Sequence, residues 1–144
     1  MRPLAIVDYG MGNLRSVAKA FERVGQAFRE ALGDKAGIRR FGEAAVPLDE
    51  ALVTSVVDLS GRPFFVYDVG IEQAKIGSFD VELVHDFLLA LTNQAAMNVH
   101  VRMASGRNPH HIVEATFKSL ARAMDLATQR DPRLSGVLST KGTL

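Results

Sequence analysis

A helix start that can carry chemistry is encoded in residues 106–114, which read GRNPHHIVE. Asn108 is a typical N-cap residue, because its side-chain oxygen can accept from the exposed amides of a first helical turn. Pro109 suits the first helical position, where no backbone donor is needed. The residues that follow have helical spacing, so the sequence predicts a helix that runs from Pro109 to about Thr128.

The polar stripe at the start of this helix combines two imidazoles, a carboxylate and an ammonium group. At about 100° per residue, Glu114 lies between the directions of His110 and His111, and Lys118 falls on the same stripe. Adjacent histidines diverge too far to share one metal ion comfortably, but each could hold its own. The stripe therefore suggests a metal site beside an anion site. The alternative is that two histidines at a helix start are ordinary exposed polar residues.

The apolar side of the same helix predicts where the helix packs. Five residues with helical spacing form this side: Val113, Phe117, Leu120, Ala121 and Met124. We expect this face to lie in the core, with the polar stripe along its border.

Length and composition indicate one domain without a strong electric field. The chain has 144 residues, 17 Lys and Arg, 16 Asp and Glu, and no cysteine. Nothing in this balance points to nucleic acid or to a membrane surface as a partner. The absence of cysteine excludes disulfides, thiolate metal sites and a cysteine nucleophile. No apolar run approaches the length of a membrane span, and the N-terminal apolar run is too short for a signal peptide, so we expect a cytoplasmic protein.

Strand and helix patterns alternate along the rest of the chain. Helical spacing predicts one helix from Asn13 to Leu32, with Gly33 as its stop, and another from Phe79 to Gln94. Short β-type runs predict five strands: Leu4–Val7, Ile38–Val46 with Pro47 as its end, Ala51–Leu59, Phe64–Tyr67 and Asn98–Met103. His100 falls on the polar face of the last strand, where an ordinary surface residue is the expected interpretation. The pattern predicts an α+β fold, an antiparallel or mixed sheet packed against helices.

From about Gln26 to Leu144, the chain resembles imidazole glycerol-phosphate dehydratase of histidine biosynthesis. The resemblance lies in short segments that occur in the family's order: ALGDK (31–35), GIRRFG (37–42), PLDEA (47–51), DLSGRP (58–63), GRN (106–108), His110-His111 with Glu114, Phe117-Lys118 and STKG (139–142). It implies a hydro-lyase with a dehydratase-like half-repeat architecture and an added N-terminal β-α unit.

Residues 1–25 resemble a different family, the glutamine amidotransferase subunit of imidazole glycerol phosphate synthase. The resemblance lies in residues 6–17, IVDYGMGNLRSV. That family needs a cysteine nucleophile, which this chain lacks, so only a β-α fragment of it is expected. The sequence thus predicts a chimera of residues 1–25 and residues 26–144 that forms one compact unit. The join falls near Gly25, inside a predicted helix.

The dehydratase resemblance implies a reaction and a metal. The family dehydrates imidazole glycerol phosphate to imidazole acetol phosphate with paired manganese ions, so Mn²⁺ is the expected cofactor. By resemblance, His110, His111 and Glu114 would be metal ligands. His85 or Asp86 would supply another, and the alternative is that these two residues belong to a solvated helix face. The family has two similar halves, each with one His-His-x-x-Glu helix. Here residues 13–23 occupy the place of the first motif and contain no histidine.

The same resemblance implies a phosphate site. Five residues match the family's phosphate-binding positions: Arg40, Arg62, Lys118, Ser139 and Lys141. An arginine can hold phosphate with two parallel donors, whereas a lysine acts as a point charge.

Two further expectations follow from the family. Glu50 matches an acidic position near the substrate, which implies a general acid/base role. The family assembles its site between subunits of a large symmetric oligomer, so a homo-oligomer that takes a small phosphorylated imidazole substrate is expected. The alternative is a catalytically inactive chimeric module that folds and self-associates, because the first metal helix is missing.

Overall fold

The computed structural model describes residues 14–140, which form an α+β fold, as predicted. These residues contain three helices and six strands. In chain order the elements are α1 (Leu14–Leu32), β1 (Phe41–Leu48), β2 (Ala51–Asp58), β3 (Phe64–Asp68), β4 (Lys75–Ile76), β5 (Phe79–Asp80), α2 (Glu82–Ala95), β6 (Asn98–Ser105) and α3 (Pro109–Thr128). The predicted strand Leu4–Val7 lies outside the described residues.

Four of the strands form one mixed sheet in the order β1-β2-β6-β3. β1 pairs antiparallel with β2, and β2 pairs antiparallel with β6, whereas β3 runs parallel to β6. β4 and β5 form a separate two-stranded hairpin. The mixed sheet confirms the expected fold class, and within residues 14–140 its edge strands are β1 and β3.

The start and end of β1 differ from the prediction of a strand over Ile38–Val46. The strand begins only at Phe41, because the Arg40 amide donates to a backbone carbonyl near the end of α3, 2.9 Å away. Arg40 also has a φ of 68°, which turns the chain just before the strand. Pro47 does not end the strand, which runs on to Leu48. Proline is tolerated there because β1 is an edge strand and needs fewer ladder donors.

The helix boundaries follow local signals. α1 runs unbroken through Gly25 and ends before Gly33, whose φ of 54° is the left-handed conformation of a helix stop. α2 begins at Glu82 rather than at the predicted Phe79, because Phe79 pairs with Ile76 in the β4–β5 hairpin. α3 has the predicted bounds.

The core lies between the sheet and the helices. Alternate residues of the two central strands are fully buried: Val53 and Val57 on β2, and Val99 and Val101 on β6. Val84, Leu88 and Leu91 of α2 join the same cluster. This alternation is typical of a sheet with one face on a core.

The face of α3 that packs on the sheet was predicted wrongly. Its buried residues are mostly small: Ile112, Ala115, Thr116, Ser119, Leu120, Ala123 and Ala127. This face is displaced by about 90° from the predicted apolar side. Of the predicted residues, Leu120 is buried, Val113 and Met124 are half-buried, Phe117 is 36% exposed and Ala121 is exposed. Small side chains face the sheet because they let α3 approach β1 closely. The helix backbone lies so near Gly42 that this residue has no room for a side chain.

None of the helices in residues 14–140 combines the length and apolar character needed to cross a membrane.

Candidate active site

The first candidate cluster forms where the β1–β2 turn meets the start of α3. The Asn108 side-chain oxygen accepts from the His110 amide at 3.0 Å, which is the predicted N-cap. Glu50, in the turn, reaches the same helix end. Its Oε1 accepts from the amides of Arg107 at 3.0 Å and Asn108 at 2.7 Å. The carboxylate thus completes the capping of α3, as negative groups do at helix N-termini.

The second oxygen of Glu50 holds one of the predicted ligands. The distance from Glu50 Oε2 to His111 Nδ1 is 2.8 Å. Hydrogen bonds from the Asn108 amide, from His111 and from the Arg107 amide lower the pKa of Glu50 to about 2. The same contact with Glu50 raises the pKa of His111 above its ordinary value. Glu50 is therefore ionised throughout the neutral range, and both of its oxygens are occupied.

The remaining residues of the predicted stripe, His110, Glu114 and Lys118, contact one another on α3. Glu114 Oε2 lies 3.2 Å from His110 Nε2, and Glu114 Oε1 lies 2.6 Å from the Lys118 ammonium group. The hydrogen bond from Lys118 is the main cause of a lowered pKa at Glu114. The structure thus pairs Glu114 with His110, as predicted, but its second partner is Lys118 rather than His111. Lys118, which was predicted to bind phosphate, thus lies with Glu114 on α3.

The donor set at the start of α3 suits a divalent transition metal, because imidazole and carboxylate ligands bind such ions. The rings of His110 and His111 are 6.1 Å apart, so the two histidines diverge as the helical spacing predicted. Asp49 Oδ2 lies 3.6 Å from His111 Nε2. Within residues 14–140, however, no three such side chains converge in a way that could hold a metal ion. These residues could therefore supply some, but not all, of the ligands of a metal ion.

A cleft of about 750 Å³ brings together three of the predicted phosphate ligands. Its walls come from the start of β1, from the turn after β2 and from the C-terminal tail, and they include Arg40, Arg62 and Ser139. Two guanidinium groups and a hydroxyl around one cleft provide the charge and the hydrogen-bond donors that bind an anion. Lys141, the other predicted tail ligand, lies outside the described residues.

Arg40 is held rigidly at the rim of this cleft. Its Nε and Nη2 donate to the two oxygens of Asp58 at 2.6 and 3.0 Å, and its Nη1 donates to the Leu138 carbonyl at 2.7 Å. The guanidinium also lies over the Phe41 ring, 4.7 Å from its centroid. These contacts use three of the five N–H donors of Arg40, which leaves two for a ligand.

His85 and Asp86 lie in a separate place. His85 packs against the rings of Phe65 and Tyr67, with 5.5 Å between centroids in each case. Its Nδ1 is 3.3 Å from Asp86 Oδ1. Burial raises the pKa of Tyr67 to about 12. His85 thus forms part of an aromatic cluster on α2 and β3, and its predicted role as a ligand stays a prediction.

Comparison with known proteins decides the family. The family model for imidazoleglycerol-phosphate dehydratase matches residues 16–124. The chain belongs to this family. It is 59% identical over 121 residues to the imidazoleglycerol-phosphate dehydratase of Geobacter metallireducens, and 58% identical over 121 residues to that of Geobacter sulfurreducens. Each match covers 84% of this chain and 62% of the relative. The chain therefore spans about three fifths of the length of these curated relatives.

Solved dehydratases share the fold. The dehydratase of Staphylococcus aureus superposes with a TM-score of 0.77 at 35% identity, over 80% of this chain and 67% of that one. The dehydratase of Pyrococcus furiosus, solved with the compound (S)-C348, gives a TM-score of 0.74 at 39% identity, over 89% of this chain and 72% of that one. The predicted resemblance to this family is confirmed, and the family match covers residues 16–124, so it begins ten residues before the predicted boundary at residue 26.

The two candidate clusters of this dehydratase-family chain lie at opposite ends of the β1–β2 hairpin. Arg40 and Asp58 flank the open end, where Phe41 pairs with Asp58, whereas Glu50 lies in the closing turn. Eight strand residues separate the ends by about 25 Å, at about 3.3 Å per residue. A small substrate cannot reach from one cluster of a chain to the other.

Two acidic residues at these clusters had no role assigned from the sequence. Asp58 fixes Arg40, and Asp49 lies beside His111. Both lie in segments that resemble the family, yet their partners depend on strand register and on how α3 meets the turn. Asp49 has a positive φ of 47°, so its position reflects the tight turn. A local sequence signal for either pairing does not exist.

Proposed function

We propose that this protein dehydrates imidazole glycerol phosphate to imidazole acetol phosphate in histidine biosynthesis. Family membership supports the reaction class, and the cleft that gathers Arg40, Arg62 and Ser139 is the observation that carries it. A substrate of this type has a phosphate at one end and an imidazole at the other. A cationic cleft and a cluster of metal-ligand side chains suit these two ends.

The cleft would bind the phosphate. Asp58 holds Arg40 so that its remaining N–H groups have fixed directions, which lowers the entropy cost of gripping an anion. Arg62 would add a second guanidinium and Ser139 a hydroxyl. We assign Lys141 to the same site because it follows Ser139 by two residues, and Lys118 to the substrate end that contacts the α3 cluster.

The α3 cluster would bind manganese. His110, His111 and Glu114 would be ligands, and His85 or Asp86 remains the proposed source of another. When bound, such ions stabilise the negative charge that develops as a proton leaves carbon. The part of this chain is to hold the imidazoles at a fixed helix end and to keep Glu114 ionised through Lys118.

We further propose that the working form is a homo-oligomer in which one copy supplies the α3 cluster and another supplies the cleft. The separation of about 25 Å within a chain supports this arrangement. Mixing two impaired variants tests it. His110→Ala/His111→Ala chains should be inactive, Arg62→Ala chains should have low activity at limiting substrate, and co-refolded mixtures should exceed the sum of the two. Mixtures that stay at the level of the separate variants would contradict shared sites.

The direct test is manganese-dependent formation of imidazole acetol phosphate by the purified chain. We expect activity that falls to background in His110→Ala/His111→Ala. Arg62→Ala should weaken substrate binding by about 10–100-fold, because it removes charge-assisted hydrogen bonds of about 1.5–3 kcal/mol. Arg122→Ala, which removes an exposed cation from α3, is the matched control and should leave the kinetics unchanged. A well-folded chain with no turnover would overturn the proposed function.

One observation favours an inactive, self-associating module as the second candidate. No group of three metal-ligating side chains converges within residues 14–140, and α1 contains no histidine. The module would fold and associate without turnover. Manganese binding separates the candidates, since the enzyme requires Mn²⁺ affinity that depends on His110 and His111, whereas the module does not.

We also propose that residues 1–25 are a fragment similar to a glutamine amidotransferase subunit. The family match begins at residue 16, inside α1, and residues 1–13 lie outside the described structure. The proposed boundary near Gly25 falls in the same helix. Removing residues 1–13 and comparing thermal stability would test whether this segment takes part in the fold.

A further inference from the structure

We infer that Glu50 is a positioning residue for His111: its carboxylate fixes the imidazole as the Nδ1–H tautomer and leaves Nε2 with a free electron pair. The inference deepens the proposed function, and it rests on it in taking His111 as a metal ligand. It gives Glu50 a different task from the acid/base role that the family resemblance implied.

The hydrogen bonds of Glu50 dictate the tautomer. An ionised carboxylate only accepts, so the nitrogen of His111 that lies 2.8 Å from Glu50 Oε2 must carry a proton. That nitrogen is Nδ1. In the neutral ring the other nitrogen, Nε2, then has no proton and can donate an electron pair. Oε1 is occupied by the Arg107 and Asn108 amides, which hold the carboxylate in this orientation.

A second contact, independent of Glu50, requires the same tautomer. The side chain of Asn108 caps α3 through its oxygen, which accepts from the His110 amide at 3.0 Å. Its Nδ2 must therefore point the other way, and it lies 3.4 Å from His111 Nε2. An amide N–H facing Nε2 needs an acceptor there. In the neutral ring, Glu50 and Asn108 thus both leave Nε2 unprotonated, whereas the Asp49 carboxylate, 3.6 Å from Nε2, favours a proton there.

The arrangement is the one that prepares a histidine to bind a metal ion. A ligating histidine usually donates its second N–H to a carboxylate, which fixes the ring orientation and raises the basicity of the ligand nitrogen. Here the carboxylate comes from the β1–β2 turn and the histidine from α3, so the sheet sets the direction of Nε2. Asp49, from the same turn, lies 3.6 Å from Nε2 and could complete a ligand pair there.

Glu50→Gln separates positioning from support of the fold. The amide oxygen of Gln can still accept from the Arg107 and Asn108 amides, so the cap survives. Its NH₂ group then faces Nδ1 and must donate, which forces the proton of His111 onto Nε2. Glu43→Gln is the matched control, because Glu43 is an exposed carboxylate on β1, outside this cluster.

Two measurements follow, and the first needs no metal. Long-range ¹H–¹⁵N spectra of the metal-free protein should show His111 protonated on Nδ1 in the wild type and in E43Q, and on Nε2 in E50Q. Titration with Mn²⁺ should then give about 10–100-fold weaker binding for E50Q than for E43Q. Glu50→Asp, which keeps an acceptor, should retain the wild-type tautomer.

The outcomes are distinguishable. A wild-type His111 protonated on Nε2, or an E50Q ring that keeps its proton on Nδ1, would overturn the inference even if E50Q proved hard to fold. An inverted tautomer with unchanged Mn²⁺ affinity would also overturn it, since the ring direction would then serve no metal. Wild-type protein that binds no Mn²⁺ would refute the metal part of the proposed function, while the tautomers alone would still decide the role of Glu50.

Discussion

The contact between β1 and α3 at Gly42, which we call the seam, should tolerate no side chain at residue 42. A Cβ added to Gly42 would lie 1.9 Å from the Ala123 carbonyl oxygen and 2.8 Å from the Ala127 amide nitrogen. Both neighbours are backbone atoms of a helix, so they cannot rotate away. Relieving the clash requires α3 to retreat by roughly 1 Å, and a gap of that size forfeits a quarter to a half of each facing van der Waals contact.

We therefore expect Gly42→Ala to lower the free energy of unfolding by about 3 kcal/mol or more, at or above the upper end of the usual overpacking cost. That is a large share of the roughly 5–15 kcal/mol that stabilises a typical domain. Urea denaturation followed by circular dichroism measures it. Gly70→Ala is the control, because nothing lies within 4 Å of its added Cβ. It should change stability by no more than about 1 kcal/mol. A G42A protein within about 0.5 kcal/mol of the wild type would refute the close seam.

Two other predictions concern buried or ion-paired polar groups. Arg133 donates to both oxygens of Asp131 and lowers the pKa of this carboxyl group below its ordinary 3.8. The ionised carboxylate therefore stabilises the folded state above pH 3.8. This contribution is lost as the pH falls through the lower pKa of the folded state. Asp131→Asn should thus destabilise the protein at pH 7 and should cost less stability at pH 3, as chemical denaturation at the two pH values would reveal. The buried hydroxyls of Ser55 and Ser119 are 2.7 Å apart, so a double-mutant cycle to alanine should give a coupling of about 0.5–1.5 kcal/mol, and additive losses would argue against the bond.

The parts of the fold that the sequence could predict depend on neighbouring residues in the chain. The start of α3 is local, because Asn108 and Pro109 satisfy a helix end by themselves. Gly33 ends α1 for an equally local reason. The buried face of α3 is not local, since it depends on how closely the helix approaches β1. Weighting side chains by hydrophobic size favoured Phe117, whereas the buried face contains three alanines, one serine and one threonine beside Ile112 and Leu120.

The candidate site divides in the same way. The diverging imidazoles of His110 and His111 follow from helical geometry, and Glu114 lies near them as the spacing required. The pairings of Glu50 with His111 and of Arg40 with Asp58 arise from the hairpin. No spacing rule joins residues 61 or 18 positions apart in sequence. Family resemblance could supply the residues of the cleft, but not the bonds that orient them.

Hydrogen bonds join α3 to the β1–β2 hairpin at both ends of the helix. At one end Glu50 accepts from amides at the start of α3, and at the other the Arg40 amide donates to the Ala127 carbonyl. A 20-residue helix spans about 30 Å, close to the length of the hairpin, so both ends can be tied without strain. Gly42 and Ala127 lie at the Arg40 end. Displacing α3 there should disturb the guanidinium before it disturbs His111, so the proposed binding of phosphate should respond to a change at Gly42 before the proposed binding of Mn²⁺ does.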